Sequence, residues 1–309
     1  MAGWLWFQDR FSSSEFHFHG YNQILRSFNT PYQEIQLIDT DAFGKMLVID
    51  GDVQSSLSDE YVYHESLVLP ALICNKKLPR KIFLCGGGEG ATLREIVRCK
   101  SIESVIKCDI DQEAIQMYMD ELPEWHQGSF FDPRVTLIHM DARKLLEEQA
   151  DQSFDGIYTD LTEPVSGGPS QMLYSKEFFT LCRSKLAQNG FVVVQGSLLR
   201  VTNYEMHASI ARTMKEVFPL VRSYLVYVPS FDTTWGFVYA SFETDPLAYT
   251  AKEIDQEIHE RLTGNLRFYD GIAHQHIFSI GKDLRNLVDN SGTVITDNQP
   301  FKLKRKNEL

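Results

Sequence analysis

The run Lys81-Ile82-Phe83-Leu84-Cys85-Gly86-Gly87-Gly88-Glu89-Gly90-Ala91-Thr92-Leu93-Arg94-Glu95 decides how the chain is read. Residues 81–85 have the length and apolar character of a buried strand. They pass directly into a glycine-rich loop, and a helical pattern follows over residues 91–99. Glycines at such a junction let the backbone turn sharply and approach a ligand closely. The spacing is GxGxG (Gly86, Gly88, Gly90), not the GxGxxG of dinucleotide dehydrogenases. Glu89, a carboxylate inside the loop, would repel a pyrophosphate held at the helix N-terminus. That argues against NAD and suits an adenosyl ligand with a cationic tail.

The next strand, residues 104–108, ends in Asp109, 19 residues beyond Gly90, where a carboxylate can accept both hydroxyls of a ribose. Asp111 reads either as part of that site or as a helix cap. Further apolar runs at 134–139, 156–159 and 190–194 alternate with helical stretches, the pattern of a doubly wound sheet. Two more β-rich runs, 223–228 and 236–241, flank the loop Pro229 to Trp235. A closing antiparallel pair marks an α/β fold with a class I methyltransferase-like Rossmann domain. Upstream, strand-like runs at 34–37 and 46–49 are broken by Asn29-Thr30-Pro31 and Gly51-Asp52, giving a small N-terminal antiparallel β domain. The expected division is 1–65 for that domain and 66–309 for the Rossmann-like catalytic domain with a C-terminal helical extension.

With 309 residues, two domains is the ceiling, and no stretch approaches the ~18 uncharged apolar residues of a membrane span. A net charge of −12 makes nucleic acid a poor partner and suits a cationic substrate, although an acidic surface also serves solubility alone. Five cysteines without a CxxC pair read as reduced thiols and a cytoplasmic protein. The pairs His17/His19 and His274/His276 lack clustered partners, so no metal site is expected. Gln8, Asp9 and Arg10 interrupt the aromatic N-terminus before a secretion signal could form. The tail from Lys306 to Leu309 echoes an ER-retention address, which means nothing without entry to the ER.

Three segments carry candidate chemistry. Tyr158-Thr159-Asp160-Leu161-Thr162-Glu163-Pro164 ends the fourth strand with two carboxylates at the edge where α/β enzymes bind ligands. Asp59-Glu60-Tyr61-Val62-Tyr63-His64-Glu65 gathers acid, phenol and imidazole, and alone would be only a polar helix face. Asp141, ending the third strand, is either an adenine contact or the cap of the next helix.

Taken together, Gly86-Gly87-Gly88-Glu89-Gly90, Cys108-Asp109-Ile110-Asp111, Tyr63-His64-Glu65 and Asp160-x-x-Glu163-Pro164 resemble the spermidine synthase family of aminopropyltransferases, from about Tyr32 to about Phe301. The resemblance implies that Gln33, His64, Glu89, Asp109 and Asp141, with the loop glycines, bind decarboxylated S-adenosylmethionine as a co-substrate, with no prosthetic group. It implies that Tyr63 and Asp160 act on the incoming amine, that Gln54 sits at the donor–acceptor junction, and that the chain forms a homo-oligomer, dimer or tetramer. Gln33 and Gln54 also have an ordinary reading as polar groups of the sheet. The chemistry fits: a primary amine is protonated at neutral pH and must lose a proton before it attacks the carbon beside the sulfonium. Asp160 would be the base, Tyr63 would orient the nitrogen, and methylthioadenosine would leave.

Departures from the family pattern concern the acceptor. Glu163 stands where a second Asp is usual, the loop Val165-Ser166-Gly167-Gly168-Pro169 is longer, and Phe231 replaces a Tyr. These features look like the thermospermine synthase branch, with Glu163, Phe231, Asp232 and Trp235 expected to hold spermidine. Phe231 and Trp235 would equally serve to cover the sheet edge. The donor side also resembles bacterial enzymes that accept agmatine or triamines, and spermidine or spermine synthase remains an alternative. An AdoMet-dependent small-molecule methyltransferase would share the fold and Asp109, and an idle polyamine-sensing protein would share the pocket.

Overall fold

A computed structural model describes residues 5–11 and 15–303; Trp4 and the tail from Lys306 to Leu309 lie outside them. Strands β1 (Leu5–Arg10) and β2 (Phe16–Tyr21) pair antiparallel. Strands β3 (Gln23–Asn29), β4 (Glu34–Thr40), β5 (Gly44–Ile49) and β6 (Asp52–Ser56) form an antiparallel sheet in that order. The β5–β6 turn is Asp50-Gly51, both at positive φ, as a two-residue hairpin matched to strand twist requires.

Helix α1 (Glu60–Cys74) is buried around almost its whole circumference. That is the mark of a helix packed on all sides, and it explains why its apolar residues keep no clean periodicity. Position 65, the expected domain boundary, falls inside α1, so Tyr63 and Glu65 share one rigid element. The break between elements lies earlier, between β6 and α1.

The central sheet contains β7 (Lys81–Gly86), β8 (Ser104–Asp109), β9 (Val135–His139), β10 (Phe154–Asp160), β11 (Leu186–Leu198), β12 (Leu220–Val228) and β13 (Thr233–Ser241). Their order is β12-β13-β11-β10-β7-β8-β9. Strands β7 to β11 pair parallel, and β13 inserts antiparallel between β11 and β12. The expected closing pair is present, with the later strand on the inside. Val192, Val193 and Val194 on β11 are fully buried, as in a sheet covered on both faces. The chain leaves β7 toward β8 on one side and returns through β10 on the other. This switch point opens the crevice in which such sheets bind ligands.

Two sets of hydrogen bonds anchor α1. Tyr158 of β10 donates its hydroxyl to the Val68 carbonyl at 2.8 Å. Glu65 accepts the backbone N–H groups of Arg267, Phe268 and Tyr269 at 2.9, 2.9 and 2.8 Å. The second set pins the segment between the C-terminal helices Ala251–Arg261 and Gly271–Ile277. Among the described residues all five cysteines are free and buried, and no helix is long and apolar enough to cross a membrane.

Truncating Glu65 would leave three backbone donors without their acceptor, the buried Tyr269 N–H among them. Glu65→Ala is expected to destabilise the protein by about 2–4 kcal/mol, read as a lower urea midpoint. An unchanged midpoint would show that this anchor carries no stability.

Candidate active site

Gly86 ends β7 at φ +74, and a Cβ there would lie 2.2 Å from the Asp160 carbonyl oxygen. Only glycine lets β7 and β10 meet this closely. The Gly87 N–H then donates to that same carbonyl at 2.7 Å. Gly90, at φ +84, opens helix α2 (Ala91–Val97) and packs under Phe130. The cleft above the loop encloses about 1190 Å³ counting its open mouth, ample for a nucleoside and an extended amine. Its walls include Gln33, Gln54, Gly86, Gly88, Glu89, Asp109 and Asp141 with Tyr63, Asp160, Glu163, Phe231 and Trp235.

Gln33 lies in the turn before β4 rather than on a strand, and its amide donates to Asp111 Oδ2 at 2.9 Å. Asp111 in turn caps helix α3 (Gln112–Glu121) by accepting the Ala114 N–H at 3.1 Å. Asp111 is thus a helix cap that also lines the cleft. Asp141 caps the helix Ala142–Glu147, taking the N–H groups of Arg143 and Lys144 on Oδ1 at 2.9 and 3.1 Å, while still lining the cleft. Gln54 sits on β6 and faces the cleft.

Asp160 is held from two sides. Tyr63 donates its hydroxyl to Oδ1 at 2.7 Å and Thr92 donates to Oδ2 at 2.5 Å. Burial, reinforced by the charge of Glu89, raises the Asp160 pKa above the usual aspartate range against the pull of His64, Thr92 and Tyr63. A carboxylate raised in this way takes up a proton more readily, as a general base requires.

Beneath Glu89 runs a buried ladder of alternating charge. His64 donates from Nε2 to Glu89 at 2.9 Å and from Nδ1 to Glu60 Oε2 at 2.9 Å. Arg94 forks onto both Glu60 oxygens at 3.0 and 2.9 Å and donates from Nε to Glu95 at 2.7 Å. Burial alone would strip the His64 proton, yet the bonds to Glu60 and Glu89 outweigh it and push the ring up to about 10. Burial likewise opposes the Glu60 charge, but His64 and Arg94 hold it down at about 2. His64 is thus an imidazolium behind Glu89. It stands behind the cleft wall, with its Nε2 on Glu89, which does line the cleft.

On the other side, Glu163 accepts the Ser197 hydroxyl, and burial raises its pKa. Phe231 packs edge-on against Trp235 and Tyr63, with ring centroids 5.2 and 6.3 Å apart. Asp232 departs from expectation. Its carboxylate is 62% exposed, accepts the Tyr227 hydroxyl at 2.6 Å and does not line the cleft, because the αL turn at φ +48 points it outward. His17 lies 3.8 Å from Asp232, and His274 bonds Tyr269 and the Pro246 carbonyl. Among the described residues no group of three or more His, Cys, Asp or Glu could hold a metal.

Thr92, Glu60, Arg94 and Ser197, which bond to the carboxylates of the cleft or to the groups behind them, escaped sequence reasoning as site residues. Arg94 and Thr92 lie within the quoted glycine-loop run, and their polarity on a buried helix was the available signal. Ser197 carried none, since only its positive φ of 64° turns it toward Glu163.

Residues 60–252 match the spermine/spermidine synthase domain, and residues 6–56 match the spermidine synthase tetramerisation domain. The chain belongs to the spermine/spermidine synthase family. The polyamine aminopropyltransferase of Saccharolobus solfataricus is 40% identical over 301 residues, covering 97% of this chain and 99% of the relative. That of Sulfolobus acidocaldarius is 41% identical over 300 residues, covering 97% and 98%. A spermidine synthase solved with the transition-state analogue AdoDATO superposes with a TM-score of 0.85 at 24% identity, covering 93% of this chain and 95% of that one. The Thermotoga maritima spermidine synthase superposes with a TM-score of 0.83 at 24% identity, covering 93% and 94%, so the fold is shared. This is a family of polyamine aminopropyltransferases, which sets the small-molecule methyltransferase alternative aside.

The ladder makes stability pH-dependent. A histidine with a folded pKa near 10 and an unfolded pKa of 6.5 stabilises fully below 6.5, and the contribution is lost as pH rises through 10. The stability gap between wild type and His64→Gln should therefore be widest at about pH 6.5 and shrink steadily as pH rises toward about 10. Urea denaturation across that range measures it; a constant gap would mean that His64 is neutral in the folded protein.

Proposed function

We propose that the chain transfers the aminopropyl group of decarboxylated S-adenosylmethionine to spermidine, yielding thermospermine and methylthioadenosine. The observation that carries the reading is Asp160, raised in pKa, held by Tyr63 and Thr92, and sharing one cleft with Glu89 and with the Glu163–Phe231–Trp235 side.

Gln33, Asp109 and Asp141 would take the nucleoside, with Asp109 on the ribose hydroxyls and Asp141 at the adenine. Glu89, fixed as a carboxylate by His64, would face the donor's ammonium and disfavour the carboxylate of intact S-adenosylmethionine. Asp160 accepts a proton from the substrate ammonium while Tyr63 aligns the nitrogen. The freed lone pair forms the new C–N bond as the C–S bond breaks, its electrons staying on sulfur. No covalent enzyme intermediate is needed. Gln54 would sit where donor and acceptor meet.

Three features favour a triamine. Glu163 supplies a second, partly buried carboxylate for an inner ammonium, Phe231 packs methylenes without a hydroxyl to fix a short diamine, and Trp235 can stack on a cationic nitrogen. Phe231 is nearly buried, so covering the sheet edge is part of its role as well. The match of residues 6–56 to a tetramerisation domain supports homo-oligomer assembly, and the free thiols fit a cytoplasmic enzyme. The domain division that best follows the elements lies between β6 and α1.

With decarboxylated S-adenosylmethionine and a panel of putrescine, agmatine, spermidine and norspermidine, product chromatography should give thermospermine and the highest kcat/KM with spermidine. A higher kcat/KM for putrescine or agmatine would refute the acceptor, and spermine as the tetraamine would refute the orientation. Asp160→Asn should cut kcat by roughly two orders of magnitude or more while leaving the fold intact. Wild-type turnover in that variant would remove Asp160 from the chemistry.

A further inference from the structure

Lys107 is the fourth residue of β8, and its side chain is 0% exposed. A lysine in such surroundings is costly unless its ammonium is compensated. Its Nζ donates to the Gly86 carbonyl at 2.6 Å and the Gly87 carbonyl at 2.9 Å, and lies 3.7 Å from Asp109 Oδ2. The Phe130 ring centroid is 5.8 Å away. The peptide between Gly86 and Gly87 thus presents its carbonyl to Lys107 and its N–H to the Asp160 carbonyl. One peptide plane joins the buried ammonium to the backbone of the proposed base.

We propose that Lys107 is a positioning residue, clamping the glycine loop against β10 and keeping Asp109 charged and aimed at the ribose hydroxyls of the nucleoside donor. The inference rests on the donor reading given above. It follows from the charges around the pair. Burial raises Asp109, and Lys107 is the leading influence against that rise. Asp111 faces Asp109 through its own charge and through its backbone N–H at 3.1 Å, while His139 of β9, Cys108 of β8 and Tyr118 of α3 face it as well. Glu89 of the loop and Cys85 of β7 face Lys107. In this set Lys107 stands nearest to Asp109 with opposite charge, so removing it leaves burial and Asp111 to set the titration.

The test uses methylthioadenosine, whose binding does not require the amine or the sulfonium charge, titrated calorimetrically from mildly acidic to mildly alkaline pH. Affinity falls as Asp109 protonates. In Lys107→Met, and in Lys107→Gln, which keeps an N–H donor for the glycine carbonyls, the acid limb should move upward by about one pH unit or more. In Asp109→Asn the Lys107 substitutions should move no acid limb. A uniform loss of affinity with an unmoved limb in either Lys107 variant would reduce the residue to a structural part and overturn the proposal. Wild type that fails to bind methylthioadenosine at any pH would overturn the donor reading instead. Should neither Lys107 variant fold, a crystal structure of wild type with methylthioadenosine decides: Nζ on both carbonyls and near Asp109 supports the proposal, and an ammonium turned away from Asp109 overturns it.

Discussion

A carboxylate can be kept charged inside a protein only if something opposite in charge is buried with it, and that constraint organises the donor side of this molecule. Glu89 sits in a loop whose neighbours are glycines and a buried aromatic. Its charge depends on His64, whose charge depends on Glu60, which in turn is held by Arg94. His64, Glu60 and Arg94 are buried and Glu89 keeps only 13% of its side chain exposed, so each charge would be costly alone. Because α1 supplies Glu60 and His64 and α2 supplies Arg94, the ladder also fixes how the two helices meet beneath the loop.

The same helix couples this ladder to the acceptor side. Tyr63 precedes His64 in the chain, so the phenol turns toward Asp160 while the imidazole turns toward Glu89. Adjacent positions on a helix point about 100° apart, and here that divergence places one residue in the cleft and the next behind its wall. Glu65 completes the anchoring by tying α1 to the C-terminal segment. A single stretch of sequence thereby sets the partner of Glu89, the hydroxyl on Asp160 and the attachment of the helical extension.

The acceptor side works by different physics. Its wall combines the aromatic rings of Tyr63, Phe231 and Trp235, backed by Phe237, with the partly buried carboxyl of Glu163. Aromatic faces and methylenes select by shape, and a sparse set of charges then selects by the spacing between ammonium groups. Asp232 adds nothing to that spacing because its turn directs the carboxylate to solvent.

The sequence by itself determined the order of elements, the glycine loop, and the strand-end carboxylates Asp109, Asp141, Asp160 and Glu163, because these depend on local periodicity and on chain positions fixed relative to a strand end. It also carried the family motifs. Tertiary structure alone decided that β13 inserts beside β11, that His64 stands behind Glu89, that Asp232 turns outward, and that Lys107, Ser197, Thr92 and Arg94 bond to Gly86, Glu163, Asp160 and Glu60 respectively. Local pattern shows which face of an element is apolar, but not which buried polar groups meet across elements. That pairing is fixed only when segments distant in the chain are packed together and each buried charge must find its partner.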